Sequence, residues 1–102
     1  MTTPASVAIN DQTIQVNGDL VKSGIRKLRK TEPDLEDGQR YTLQIDDSSV
    51  IDSAGLAYVI NMISRHASTG GKISMEIIPE NMQALITLSD LDFVFKQQEQ
   101  QE

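Results

Sequence analysis

The sequence predicts a single α/β domain with a mixed β-sheet whose crossover helices pack mainly on one face of the sheet. Two observations predict this fold: short β-type runs alternate with helical periodicity, and no linker or internal repeat divides the 102 residues. A chain of this length can bury a core without disulfides, and it has no cysteine. The predicted element order is β-β-α-β-α-β-α-β. We expect the domain over residues 1–95 and a disordered, Gln- and Glu-rich tail over residues 96–102.

The first half of the chain predicts a hairpin, a helix and a strand. A polar turn at Asn10 separates two β-type runs, and three apolar residues at helical spacing follow them. Pro33 ends the helix. The next run alternates apolar with polar residues, which is typical of a central strand with one covered face. These elements are expected at residues 7–9, 13–16, 20–30 and 41–45.

The second half is dominated by an amphipathic helix over residues 53–68, in which apolar residues recur three and four positions apart. Asp52 is placed to cap its first turn, and Gly70 follows its end. The remaining elements are a strand, a third helix opened by a proline, and a short terminal strand. These elements are expected at residues 72–78, from Pro79 onward, and at residues 91–95.

The charge of the chain excludes some partners. The net charge is −6 and the pI is about 4.6, which argues against general affinity for nucleic acid or anionic membranes. No run approaches the roughly 18 apolar residues of a membrane span, so we expect no direct membrane insertion. The absence of cysteine is compatible with a reducing compartment, and a cytoplasmic location is the default expectation. Five of the nine basic residues cluster on the first helix, where we expect a solvated helix face. The alternative is a basic surface that docks a protein. The five basic residues are Lys22, Arg26, Lys27, Arg29 and Lys30.

The segment around Asp52 and Ser53 joins a strand to the second helix. Ser53 takes the first helical position, where free amides and the helix dipole favour a phosphate. The alternative is ordinary helix capping by Asp52. Gly55 lies in the first turn, where glycine costs up to about 1 kcal/mol relative to alanine, so a neighbouring backbone or a partner is expected to approach it closely. We expect Gly55→Ala to fold and a larger side chain there to obstruct a partner.

Catalysis by Ser53 would need an imidazole within hydrogen-bond reach. The only histidine, His66, lies about 20 Å farther along the same helix at about 1.5 Å per residue, so it is expected to be a surface residue flanking the core. Asp46, Asp47 and Asp52 could approach one another and suggest a cation only weakly, because they lack a recognisable loop spacing, and a solvated strand end explains them better. No phosphate loop or dinucleotide motif is present, so we expect no metal and no cofactor.

The outer face of the second helix combines residue types that are common at binding hot spots. Tyr58 and Arg65 are such types, and Met62 at the edge adds adaptable apolar surface. We expect this face to bind a partner and call it the predicted ridge. The alternative is a helix covered by another part of the same chain. The predicted ridge comprises Ser53, Ala54, Gly55, Tyr58, Asn61, Met62 and Arg65.

The string at residues 50–57, Val-Ile-Asp-Ser-Ala-Gly-Leu-Ala, resembles the signature of STAS domains, the family of anti-sigma-factor antagonists and sulfate-transporter tails. The resemblance extends over roughly residues 5–95. Three further stretches contribute to it: Gly18-Asp19-Leu20, Gly70-Gly71, and Pro79-Glu80-Asn81-Met82 with Leu85, Leu88 and Leu91. Within the family, the chain is most similar to the small cytoplasmic subunits of phospholipid-transporting ABC complexes.

The resemblance implies two roles for Ser53. In antagonists of anti-sigma factors the matching serine is phosphorylated by a partner kinase, whereas in the transporter subunits the matching residue lies in the interface with the ATPase. Ala54 and Ala57 replace a hydroxyl residue and a glycine that many antagonists carry at these positions. The acidic tail matches neither group.

The sequence therefore predicts a non-catalytic accessory subunit that binds the ATPase of an ABC transporter for phospholipids. Through that ATPase it would associate with a membrane permease and a lipid-binding subunit. The alternative is an anti-sigma-factor antagonist controlled by phosphorylation of Ser53. A small acyl- or phosphate-processing enzyme is disfavoured because Ser53 has no base in reach.

Overall fold

The computed structural model describes residues 4–46 and 49–88. This part of the chain forms four strands and three helices in the order β-β-α-β-α-β-α, which agrees with the predicted α/β class. None of these helices is long and apolar enough to cross a membrane. The elements are β1 (Ser6–Asn10), β2 (Thr13–Asn17), α1 (Lys22–Thr31), β3 (Arg40–Ile45), α2 (Ser53–Ala67), β4 (Lys72–Ser74) and α3 (Glu80–Leu88).

The sheet has the strand order β1-β2-β3-β4 and is mixed, as predicted. The β1–β2 hairpin is antiparallel, and Asp11 adopts φ 57° in its turn. The pairings of β2 with β3 and of β3 with β4 are parallel, so β3 is an interior strand. Ile14 lies opposite Leu43 across the parallel pair.

The core lies on one face of the sheet. Ile14, Val16 and Leu43 are almost fully buried, while the alternate residues Gln15 and Gln44 point to the other, more exposed face. The helices α1 and α2 each connect neighbouring parallel strands, and right-handed crossovers in the same direction place both helices on the same side. The predicted one-sided packing therefore agrees with the burial pattern.

Two element boundaries differ from the prediction. The first helix begins at Lys22 rather than at residue 20, because the backbone of Leu20 pairs with Ile51 in a parallel bridge. β4 ends at Ser74 rather than at residue 78, because the chain leaves the sheet at Met75 to reach α3. α3 begins directly after Pro79, as predicted. The predicted terminal strand at residues 91–95 and the tail lie outside the described residues.

Candidate functional site

Three loops meet where the parallel strands end, and their described residues are 18–21, 46 with 49–52, and 75–79. Each follows the carboxyl end of a strand, and the three helices begin there. Loops at this edge of parallel sheets carry the binding sites of many α/β proteins. We call it the carboxyl edge.

The first two of these loops are joined by their backbones. The Leu20 amide donates to the Val50 carbonyl at 2.8 Å, and the Asp52 amide donates to the Leu20 carbonyl at 3.2 Å. The Asp19 carboxylate accepts a further bond from the Val50 amide at 2.9 Å. These bonds hold the start of α2 in a fixed position.

Asp52 caps α2, as predicted, and it also accepts a hydrogen bond from the first residue of α1. Its Oδ1 accepts from the Gly55 amide at 2.9 Å, and its Oδ2 accepts from the Lys22 amide at 2.9 Å. Slight burial acts to raise the pKa of Asp52, but the bonds from the Lys22 and Gly55 amides outweigh it and lower that pKa below its usual value. The carboxylate therefore joins the starts of two helices.

Gly55 is buried against the backbone of the same chain. A Cβ built on it would lie 2.0 Å from the Leu20 carbonyl oxygen. The prediction named a neighbouring backbone or a partner as the close neighbour, and the structure shows the backbone of Leu20. The geometry does not support the expectation that Gly55→Ala costs about 1 kcal/mol or less, because the clash is with backbone that is itself fixed by hydrogen bonds.

Ser53, by contrast, is exposed at the first position of α2. Ala57 and Asn61 follow it on the same exposed stripe of the helix, and Val50 just before the cap is 57% exposed. Within the described part of the chain, the Ser53 hydroxyl makes no hydrogen bond. We call these four residues, Val50, Ser53, Ala57 and Asn61, the Ser53 surface.

The other half of the predicted ridge is covered by the chain itself. Tyr58 is 1% exposed and Met62 is 5% exposed. The Tyr58 hydroxyl donates to the Glu32 carboxylate, which also pairs with Arg65 at 3.4 Å. The prediction that Gly55, Tyr58 and Met62 form an exposed binding face is therefore wrong.

The reason is that α2 packs against helices as well as against the sheet. One side of the helix packs on the sheet and an adjacent side packs against α1 and the segment that follows α1, so the buried arc is wider than one apolar stripe. Burial, then the hydrogen bond to Glu32 and the charge of Glu32, raises the pKa of Tyr58 well above its usual range. Tyr58 is thus a neutral structural hydrogen-bond donor.

His66 is buried, with 4% exposure, which corrects the expectation of a surface residue. Its Nε2 lies 2.6 Å from the Gln39 carbonyl oxygen, and its ring meets Tyr41 edge to face. Because a carbonyl only accepts, Nε2 is the donor. Gly71 leaves the room for the ring, since a Cβ there would lie 2.2 Å from Nε2.

A small cavity of about 170 Å³ lies at the opposite edge, beside Glu32, Arg65 and His66. The nearby Thr69 hydroxyl donates to the His66 carbonyl at 2.7 Å and accepts from the Gly38 amide at 3.1 Å. These groups hold loops together, and the cavity offers no serine or threonine aligned with the imidazole.

A groove runs along the carboxyl edge beside the start of α3. We call it the α3 groove. The Asn81 side-chain amide donates to the Ser49 carbonyl at 2.6 Å across its base. Ser49 is 3% exposed, and its Oγ has no hydrogen-bond partner among the described residues. Residues lining the groove include Ser49, Val50, Ile78, Pro79, Glu80 and Asn81.

The described residues contain no group of three side chains suited to a metal ion. Asp46 is exposed at the end of β3, and Asp52 is engaged as a double cap. Asp47, the third carboxylate of the weakly suggested cation site, lies outside the described residues.

Sequence reasoning missed two features of this edge, the exposure of Val50 and the α3 groove. Val50 carried a signal, since it is an apolar residue placed between a strand and a helix without belonging to the face of either. The groove carried no signal because it depends on where α3 lies relative to the loop after β3.

No family model matches this chain, and a search of curated proteins also finds no match. The resemblance to STAS domains therefore stays a prediction that rests on the motif residues.

Proposed function

We propose that the chain is a non-catalytic accessory subunit that binds the ATPase of a phospholipid-transporting ABC complex through the Ser53 surface. The observation that carries the proposal is that neighbouring residues of the motif have different surroundings. Asp52 and Gly55 are used inside the chain to fix two loops, while Ser53 is left exposed on that fixed frame. An exposed residue on a rigid frame suits recognition by a partner.

The identity of the partner comes from the resemblance. The string Asp52-Ser53-Ala54-Gly55-Leu56-Ala57 and the Pro79-Glu80-Asn81-Met82 opening of α3 are similar to MlaB, the STAS subunit of the Mla phospholipid transporter. An MlaB-like role places the protein at the cytoplasmic face of the inner membrane, held there by the ATPase. The permease and the lipid-binding subunit would be indirect partners in maintaining outer-membrane lipid asymmetry.

We also propose that the chain is not catalytic. This is supported by the hydrogen bonds that its potentially reactive side chains make within the chain. His66 lies about 20 Å from Ser53 along one helix at about 1.5 Å per residue, and its Nε2 is occupied by Gln39. Tyr58 is buried and bonded to Glu32. A partner would therefore supply the nucleotide chemistry.

The alternative is an anti-sigma-factor antagonist that is controlled by phosphorylation of Ser53. The exposed hydroxyl favours it, because a kinase could reach this residue without unfolding α2. Against it, Asp52 already brings a negative charge to the amides of Lys22 and Gly55. A phosphate on Ser53 would lie beside that carboxylate and meet like-charge repulsion.

The proposal is tested by coexpressing the ATPase subunit with wild type, Ser53→Arg or Gln44→Arg. Gln44 is exposed on β3 and points away from the core, so its variant carries the same new side chain on another surface. We expect Ser53→Arg to lose copurification, because a bulky charge in an interface costs several kcal/mol, about a hundredfold or more in affinity. Gln44→Arg should copurify as wild type does.

Circular dichroism and melting temperature should match wild type for both variants, since Asp52 rather than Ser53 caps the helix. Normal copurification by folded Ser53→Arg would contradict the proposal.

A further inference from the structure

The carboxyl edge is strongly acidic. Five carboxylates lie there: one in the loop after each of β2, β3 and β4, one at the N-cap of α2, and one in the first turn of α3. Lys22 is the one basic residue in these loops and first turns among the described residues. The ion pair between Arg65 and Glu32 belongs to the opposite edge. The five carboxylates are Asp19, Asp46, Asp52, Glu76 and Glu80.

The acidic residues surround apolar surface. Val50 is 57% exposed and Ile77 is 74% exposed, and both belong to loops of the carboxyl edge. Ile78 and Pro79 continue this apolar character into the α3 groove. Apolar groups with a charged rim are the usual composition of a protein interface.

The α3 groove also contains an unsatisfied polar group. Ser49 lines the groove, and its buried Oγ has no hydrogen-bond partner among the described residues. A buried hydroxyl without a partner is costly, so its presence beside the groove indicates that a polar group from outside completes the site. This observation is independent of the charge distribution.

We infer that the α3 groove binds a segment of a partner protein that carries an apolar side chain flanked by Lys or Arg. The apolar side chain packs against Val50 and Ile78, and the basic side chains face Glu76 and Glu80. This inference rests on the proposed function, because it defines the chemistry of the partner at the edge that carries the Ser53 surface. It also explains how a chain with a net charge of −6 selects its partner.

The first test measures the affinity of the purified ATPase subunit at about 0.05 M and about 0.5 M salt. The binding variant is Glu76→Lys combined with Glu80→Gln. The matched control is Glu36→Lys combined with Asp34→Asn, which changes two exposed carboxylates at the opposite edge. We expect a loss of about tenfold or more for the binding variant at low salt, a smaller loss at high salt, and no more than about a twofold change for the control.

The second test uses peptides and needs no ATPase. An alternating Arg and Leu peptide of about twelve residues should shift the amide resonances of Val50, Ile78 and Asn81 in the labelled protein, and a Glu and Leu peptide should not. Melting temperatures of all variants are measured in parallel, so that a folding defect is recognised.

The outcomes separate the two proposals. Tight ATPase binding that is indifferent to salt and to Glu76→Lys would overturn the basic-segment inference and leave the proposed function standing. If the basic peptide shifts the groove resonances selectively and the ATPase does not bind, the proposed function is wrong and the inference about a basic segment stands. If the ATPase does not bind and the peptides shift nothing in the groove, both proposals are wrong.

Discussion

At the scale of single residues, Asp52 links local sequence to tertiary structure. The sequence predicts its capping role because an aspartate directly precedes a strongly periodic helix. The sequence does not predict the second bond, to the Lys22 amide, because that contact joins residues 30 positions apart. Local chemistry identified the residue, whereas its full role depends on how the two loops meet.

This double role predicts a pH-dependent contribution to stability. The folded pKa of Asp52 lies below its ordinary value, so its stabilisation is complete at neutral pH and declines as the pH falls from about 4 through the folded pKa. Asp52→Asn keeps one acceptor oxygen and leaves one amide without its partner, which we expect to cost about 1 kcal/mol at neutral pH.

Urea unfolding of wild type and Asp52→Asn should therefore give free energies of unfolding whose difference shrinks as the pH is lowered below about 4. A difference that stays constant from neutral pH to acid would show that the carboxylate does not provide the bonds assigned to it.

At the scale of elements, two helical glycines differ in the space that their surroundings leave for a side chain. Gly55 in α2 meets the Leu20 carbonyl oxygen at 2.0 Å from a built Cβ, whereas Gly24 in α1 has no atom within 4 Å of one. Helix propensity treats them alike, since glycine costs up to about 1 kcal/mol in either helix. Only the packing of the loop after β2 against α2 distinguishes them.

We therefore expect Gly55→Ala to lower the free energy of unfolding by about 3 kcal/mol, because rigid backbone must shift. Gly24→Ala should raise it by about 0.5–1 kcal/mol through better helix propensity. Denaturant unfolding of both variants measures the two effects. Equal and small changes would show that Leu20 does not press against Gly55.

The orientation of α2 shows where sequence periodicity reaches its limit. The apolar spacing located the helix almost to the residue, at Ser53–Ala67 against a predicted 53–68. It did not locate the whole buried face, because Tyr58 and His66 lie outside the apolar stripe that the spacing defines. Each is buried with a hydrogen-bond partner from another element, Glu32 and Gln39, and a one-dimensional pattern does not supply such partners.

At the scale of the whole molecule, the sequence predicted the α/β class, the mixed sheet and its one-sided packing. These follow from alternation and periodicity, which local composition encodes directly. The surface was harder to predict. Of the seven residues in the predicted ridge, three are buried, one is half-buried and three are exposed. The buried residues are Gly55, Tyr58 and Met62, the half-buried one is Ala54, and the exposed ones are Ser53, Asn61 and Arg65. The side of α2 that packs against α1 determines which of these residues are buried.

The central claim is that a partner ATPase binds the exposed side of α2 near Ser53. A benzophenone amino acid placed at Ala57, which is exposed one turn after Ser53, probes this surface directly. The same probe at Gln44 reports on the open face of the sheet. In the purified mixture with the ATPase subunit, we expect light to cross-link the protein from position 57 and not from position 44. Cross-linking from position 44 with none from position 57 would contradict the claim.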